Sequence, residues 1–133
     1  MKLSTKSEYA CLALIVLSRK YGSGYISTER ISEEFNIPKK YLEQILLVLK
    51  GAGYIRSKRG SEGGYRISKS PAEITIAEVI RLMDGPLAAI KSVSVYFHEE
   101  TPLNQHKPLL DIFKEIRDYV SNKLETTTFA DII

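Results

Sequence analysis

The sequence contains a single cysteine, Cys11, so an intramolecular disulfide is excluded. One free thiol fits the reducing cytoplasm, where disulfides are rare. Long apolar runs are also missing, because the longest, from Tyr9 to Leu17, is far too short to cross a bilayer. The segment behind Met1 mixes polar and apolar residues, unlike a signal peptide. We therefore expect a cytoplasmic protein with no membrane partner.

Catalytic motifs are absent as well. None of the G-x-S-x-G, P-loop, H-E-x-x-H or C-x-x-C patterns occurs in the sequence. The only histidines are His98 and His106. With Glu99 and Glu100 they could form part of a metal site, although a solvated charged loop is the simpler interpretation. The sequence predicts no enzyme, no bound metal and no other cofactor, and a small metal sensor stays open as an alternative.

The charge is unevenly distributed. The net charge of +3 combines 13 Lys/Arg and 6 Asp/Glu in residues 1–70 with 6 Lys/Arg and 10 Asp/Glu in residues 71–133. A basic half beside an acidic half is typical of a polyanion-binding module joined to a second segment. The length of 133 residues and the 44% hydrophobic content allow one domain with a modest core, with room for an appendage.

Two helices are predicted near the start of the chain. Thr5 and Glu8 have the spacing of a capping box, which predicts a first helix from Thr5 to about Tyr21. Ser27 is a suitable N-cap for a short second helix that ends near Phe35.

A third helix and a β-hairpin follow directly. The helix is predicted to begin at about Pro38 and to close at Gly51 and Gly53. Its apolar positions recur at helical spacing and are Leu42, Ile45, Leu46 and Leu49. Residues 54–59 and 65–68 read as two strands joined by a glycine-rich turn. Two helices joined by a short turn and followed by a hairpin are the order of a winged helix-turn-helix.

This order predicts a double-stranded DNA partner. Gln44 matches the major-groove edge of adenine, and Glu43 can accept a hydrogen bond from a cytosine amine. Arg59, beside the glycines of the hairpin tip, suits a narrow minor groove. The predicted DNA-contacting residues are Lys39, Lys40, Glu43, Gln44, Lys50, Arg56, Lys58, Arg59 and Arg66.

The second half of the chain predicts two more helices. Thr75 and Glu78 form a capping box for a helix that ends at residues 84–86. Residues 87–103 show no clean period, and a long amphipathic helix is predicted from about Pro108 to Glu125. Its apolar stripe is predicted to pair with a second copy of the chain, the alternative being a helix folded back on its own domain. The predicted dimerisation residues are Leu109, Ile112, Phe113, Ile116, Val120 and Leu124.

The predicted fold is therefore mainly α with a small β-hairpin wing. Residues 1–86 are assigned to a winged helix-turn-helix DNA-binding domain, and residues 87–133 to a loop and a dimerisation helix. The competing interpretation is a winged-helix module that binds another protein rather than DNA.

Several segments of the chain, in order, resemble the Rrf-two family of bacterial winged-helix transcription regulators. These segments are Met1-Lys2-Leu3-Ser4-Thr5-Lys6, Tyr41-Leu42-Glu43-Gln44-Ile45-Leu46, Leu49-Lys50-Gly51-Ala52-Gly53-Tyr54-Ile55, Arg59-Gly60, Gly63-Gly64-Tyr65 and Asp84-Gly85-Pro86. The resemblance implies a homodimer with crossed long helices that binds an imperfect palindrome. We expect this dimer to regulate transcription as a repressor, with an activator as the alternative. It also implies operator contacts from Glu43, Gln44 and Arg59.

The chain departs from the cluster-binding members of that family. Those members carry three cysteines between the position of Pro86 and the long helix, and residues 87–107 contain none. Cys11 cannot supply three ligands and is interpreted as a small buried hydrophobe. The chain is therefore placed in the cluster-free branch. Its regulation could involve a small-molecule effector, a metabolic enzyme as corepressor, or oxidation of Cys11.

Overall fold

The computed structural model describes residues 3–87 and 101–133. Residues 88–100 of the predicted loop, which include His98, Glu99 and Glu100, lie outside the described residues. The elements, in chain order, are α1 (Thr5–Arg19), α2 (Thr28–Phe35), α3 (Lys39–Gly51), β1 (Ile55–Lys58), β2 (Gly64–Ile67), α4 (Ile76–Asp84) and α5 (Lys107–Thr126). The predicted fold class, mainly α with one hairpin, is confirmed.

The first helix begins differently from the prediction. The capping box of Thr5 and Glu8 is wrong by one residue, because the capping hydroxyl belongs to Ser4, which accepts a hydrogen bond from the Ser7 amide at 3.1 Å. Ser4 has extended backbone and also donates its hydroxyl to Asp84, which fixes the hydroxyl over the first turn. The helix ends at Arg19, two residues before the predicted end.

Asp84 connects the end of α4 to the start of α1. Its carboxylate accepts hydrogen bonds from the Ser4 amide at 2.9 Å and from the Ser7 hydroxyl at 2.7 Å. Partial burial by itself would raise the pKa of Asp84, but the hydrogen bonds from Ser4 and Ser7 outweigh it and hold the pKa below its ordinary value. The charged carboxylate therefore serves as a fixed acceptor for the first turn of α1.

The next helices follow the prediction closely. Ser27 caps α2 by accepting a hydrogen bond from the Arg30 amide at 3.3 Å. Asn36 adopts the left-handed conformation that ends α2, and Pro38 then precedes α3 without a side-chain cap. At the other end of α3 the chain reverses at Gly53, which has a φ of +85°.

The hairpin is antiparallel, with Ile55 opposite Ile67 and Arg56 opposite Arg66. Sequence analysis missed a third short pairing, in which Ile26 and Tyr65 exchange two backbone hydrogen bonds of 2.8 Å. Gly64 permits this contact, because a Cβ atom there would lie 2.2 Å from the Ile26 carbonyl oxygen. The wing is therefore anchored to the segment between α1 and α2 by its backbone.

The capping box of α4 is confirmed. The Glu78 amide donates to the Thr75 hydroxyl at 3.2 Å, and the Glu78 carboxylate accepts from the Thr75 amide at 2.8 Å. The same carboxylate accepts a hydrogen bond of 3.0 Å from the Tyr54 hydroxyl, so α4 is tied to the start of the hairpin.

The hydrophobic core is contributed mainly by the first three helices, the hairpin and α4, but it also includes the end of the chain. After α5 the chain returns to the start of α4. There the Ile76 amide donates a hydrogen bond to the Thr127 carbonyl, and the Phe129 amide donates one to the Ile74 carbonyl, both at 3.0 Å. The Phe129 side chain is fully buried in the core. The domain boundary predicted at residue 86 stays a prediction. Residues 127–129 follow that boundary in the sequence but contact residues that precede it.

Helix α5 leaves most of its apolar stripe uncovered within one chain. Leu109, Ile112 and Ile116 are 41%, 52% and 46% exposed. Phe113 and Val120 are half-buried. Leu124 instead packs on α4 against a cluster of Ala77, Ile80 and Leu87, so the helix does fold back at this end. None of the helices in the described ranges is long and apolar enough to cross a membrane.

Candidate nucleic-acid interface

The outer face of α3 is polar and basic. Its apolar stripe is buried, whereas Lys39, Lys40, Glu43, Gln44 and Lys50 are all exposed. Spacings of four and seven residues place Lys39, Glu43 and Lys50 along one line of the helix. The helix thus presents cations at both ends that can contact phosphates, and between them two side chains that can read bases.

Leu47 stands in the middle of this face and is 61% exposed. The helical spacing already places Leu47 on or near the outer face of the helix, although it is not among the predicted DNA-contacting residues. An apolar side chain exposed on a helix in the major groove can contact the thymine methyl group.

Lys39 is engaged with α2. Its ammonium group lies 2.6 Å from the Glu29 carboxylate, on the surface. The hydrogen bond with Glu29 raises the pKa of Lys39 and lowers the pKa of Glu29. A phosphate at this end of α3 would compete with Glu29 for the same ammonium group.

An open groove runs beside the recognition face, between α3 and α4. Gln44, Tyr41 and Val48 line one side, and Leu82 and Met83 line the other. Tyr41 also meets Tyr9 of α1 edge to face, with ring centroids 6.2 Å apart. Gln44 therefore projects from the border between the polar face and a partly apolar groove.

The wing carries its basic residues in two places. Arg59 is exposed next to Gly60, in the turn closed by a hydrogen bond of 3.0 Å from the Gly63 amide to the Gly60 carbonyl. A Cβ atom on Gly63 would lie 2.2 Å from the Lys58 carbonyl oxygen, so the tight turn requires glycine there. Arg56, Lys58 and Arg66 lie behind the tip on the outer face of the two strands.

Tyr25 organises that outer face and was not identified from the sequence. The Lys58 ammonium group lies 5.8 Å from the centre of the Tyr25 ring, and the Arg66 guanidinium group lies 5.3 Å from it. Both contacts are cation–π interactions. The signal available in the sequence was only an aromatic residue next to a strand-like segment, which ordinarily indicates core packing.

Cys11 packs against the core from α1 and is half-buried. Burial, followed by the nearby negative charge of Asp84, raises the pKa of the Cys11 thiol to about 11. A raised pKa keeps the thiol protonated at neutral pH and therefore poorly nucleophilic.

We accordingly expect Cys11 to react slowly with thiol reagents. At pH 8 the rate with Ellman's reagent should be about 100-fold below that of a free cysteine peptide, because about 100-fold less thiolate is present. The rate should still rise at pH 10 and above. Urea-unfolded protein is the control and should react at the peptide rate. Rapid reaction of the folded protein at pH 7 would restore the redox-sensor interpretation.

Comparison with known proteins identifies the family. The family model described as an iron-dependent transcriptional regulator, Rrf2, matches residues 3–133. The chain belongs to the Rrf2 family. The regulator CymR of Bacillus subtilis is 33% identical over 132 residues, an alignment that covers 99% of this chain and 89% of CymR.

Solved structures of Rrf2 regulators share the same fold. The structure of B. subtilis CymR, described as the global cysteine regulator of that organism, matches with a TM-score of 0.82 at 32% identity and covers 99% of this chain and 95% of its own. IscR of T. potens matches with a TM-score of 0.72 at 28% identity, covering 99% and 85%. The chain is therefore a DNA-binding transcription regulator and not an enzyme.

Proposed function

We propose that this Rrf2 regulator binds a palindromic operator as a homodimer, without an iron–sulfur cluster, and represses transcription from it. The observation that carries the proposal is the polar, basic outer face of α3, which leads directly into an arginine-tipped wing. In this proposal α3 enters the major groove and Arg59 enters the adjacent minor groove.

The proposed roles on DNA divide into reading and positioning. Gln44 and Glu43 read base edges in the major groove. The lysines of α3 and the cations behind the wing tip contact phosphates, which sets the register without carrying sequence information. The Glu29–Lys39 ion pair opens on binding, so Lys39 exchanges one anionic partner for another.

Dimerisation is supported by the exposed stripe of α5. In the middle of this long helix, Ile112 and Ile116 are about half exposed. A second copy related by a twofold axis would cover this apolar face. Two recognition helices related in this way read half-sites about one turn of DNA apart, ~34 Å. The twofold symmetry of the dimer is the reason for expecting a palindrome.

The proposal is tested by selecting duplexes from a random pool with the purified protein at near-physiological salt, since low salt rewards nonspecific phosphate binding. Enrichment of a palindrome is the expected result. Arg59→Ala should then weaken binding to that palindrome by about 1–3 kcal/mol and reduce sequence preference at the flanks. Glu62→Ala, in the same turn, is the matched control and should bind as wild type or slightly better. An Arg59 variant with unchanged affinity would favour the protein-interaction module instead.

An iron–sulfur cluster of the kind that cluster-binding members of the family carry does not fit this chain. Cys11 is the only cysteine, and it lies on α1 with its thiol packed against the core. His106, which was considered as a metal ligand, caps α5 by accepting a hydrogen bond from the Leu109 amide at 3.2 Å.

Protein purified anaerobically should contain no stoichiometric iron and show no visible cluster absorbance. Retention of both would contradict the cluster-free assignment.

The likeness to CymR favours cysteine metabolism as the regulated process. The selected operator should then occur upstream of genes for cysteine uptake or synthesis. The signal would reach the regulator through a small-molecule effector or a metabolic enzyme acting as corepressor. Repeating the selection with added cell extract distinguishes a regulator that needs such a partner from one that binds DNA by itself. If a partner is needed, a palindrome is enriched only when extract is present.

A further inference from the structure

A small open cavity lies on the outer face of the wing, away from the turn that carries Arg59. It is bounded on one side by the turn after α1, with Lys20 and Tyr21, and on the other by Arg56, Arg66 and Ser68 of the hairpin. Three of these five side chains are cationic, and the other two carry hydroxyl groups. These five side chains can all donate hydrogen bonds into the cavity, whose remaining lining is Gly22 and Ile67.

The cations of this cavity have no anionic partner in the described parts of the chain. Residues 3–87 and 101–133 place no carboxylate within ion-pairing distance of Lys20, Arg56 or Arg66. Arg56 and Arg66 are also direct cross-strand neighbours in the hairpin. Like charges in that position repel each other, so the pair is destabilising unless an anion lies between them.

The geometry of the cavity suits an anion in two further respects. Arg66 stacks on the Tyr25 ring at 5.3 Å, which orients the guanidinium group while leaving the N–H groups at its edge free to donate. The carbonyl oxygens of Leu17, Ser18 and Lys20 at the end of α1 accept backbone hydrogen bonds within the turn. Each of these oxygens thus has one of its two lone pairs engaged, which weakens its repulsion of an anion in the cavity.

We propose that this cavity is a phosphate-binding site, formed by Lys20, Arg56 and Arg66 with the hydroxyl groups of Tyr21 and Ser68. A phosphate group presents several acceptor oxygens and about two negative charges, which matches a pair of guanidinium forks and an ammonium group. The phosphate could belong to a free phosphate-bearing metabolite or to the backbone of DNA flanking the operator. The second source rests on the proposed function, whereas the first does not.

Lys20 is the residue to vary, because it is exposed and has no assigned role in operator recognition. Lys20→Gln removes one cation of the cavity, and Lys114→Gln, on the face of α5 opposite the apolar stripe, is the matched control. In the first arm, inorganic phosphate is titrated at constant ionic strength and followed by NMR. Saturable shifts are expected at the Arg56 and Arg66 side-chain N–H groups, with affinity weakened about fivefold or more by Lys20→Gln and unchanged by Lys114→Gln.

In the second arm, the salt dependence of operator binding is measured in phosphate-free buffer. If the cavity takes a DNA phosphate, Lys20→Gln reduces the salt slope by about 1 while Lys114→Gln leaves it unchanged. A response in either arm supports the site and identifies the source of the phosphate. Absence of saturable phosphate binding together with an unchanged salt slope overturns it. A wild-type protein that selects no DNA contradicts the proposed function alone, because the phosphate titration needs no DNA.

Discussion

Replacing Phe129 with alanine should destabilise the fold by about 3–5 kcal/mol, the range for removing a buried phenylalanine from a packed core. The expectation is strong because the Phe129 side chain is fully buried in the core formed by the first helices and the hairpin, although it is only four residues from the end of the chain. Urea unfolding followed by circular dichroism measures the change, with an unaltered slope indicating that the native state is still compact.

Ile132→Ala provides the control for Phe129→Ala, because that side chain lies three residues away and is 44% exposed. It should change the unfolding free energy by less than about 1 kcal/mol. Equal midpoints for the Phe129 variant and wild type would mean that the tail does not occupy the core in solution. The backbone hydrogen bonds between the tail and the start of α4 would then also be absent.

Placing a charge in the apolar stripe of α5 should convert the protein to a monomer and abolish tight operator binding. Ile112→Asp and Ile116→Asp each put a carboxylate on a surface that a second copy is proposed to bury, where an unpaired charge is strongly disfavoured. Affinity for the selected palindrome should fall at least about 100-fold, because the second half-site no longer benefits from being linked to the first. Sedimentation equilibrium should give the mass of one chain, 15.0 kDa.

The fold of each monomer should survive this change, because both isoleucines are about half exposed within one chain. Circular dichroism and the unfolding slope per chain test that point. Lys114→Asp, on the opposite face of α5, controls for added negative charge and should leave the protein dimeric. A wild-type protein with the mass of one chain at micromolar concentration would refute the homodimer. A dimeric Ile112 variant would instead place the interface elsewhere.

Local signals in the sequence located most elements. The serine before α2, the capping box of α4 and the glycines of the wing all lie within a few residues of the structure they specify, so their effect does not depend on the rest of the chain. The same locality explains the error at α1. Ser4 and Thr5 are both competent caps, and the choice is made by Asp84, which lies 80 residues further along the chain and holds the Ser4 hydroxyl.

The candidate site was predicted less completely than the fold. Helical periodicity was sufficient to identify the exposed face of α3, including Glu43 and Gln44, because burial of one stripe fixes the opposite face. It could not identify Tyr25, whose role depends on the strand pairing of Ile26 with Tyr65. Nor could it show that Lys39 is held by Glu29, since that contact requires α2 and α3 to pack at a particular angle.

The sequence by itself determined the class of fold, the order of helices and wing, the basic character of the DNA-binding half and the lack of cysteines for a cluster. These properties follow from composition and short-range periodicity, which act within a few turns of chain. Only the tertiary structure decided that Phe129 completes the core, that Leu124 covers α4 while the middle of α5 stays exposed, and that Lys20 faces two wing arginines. Each of these depends on segments that are distant in sequence, and nothing in a local pattern specifies which distant segment a side chain will meet.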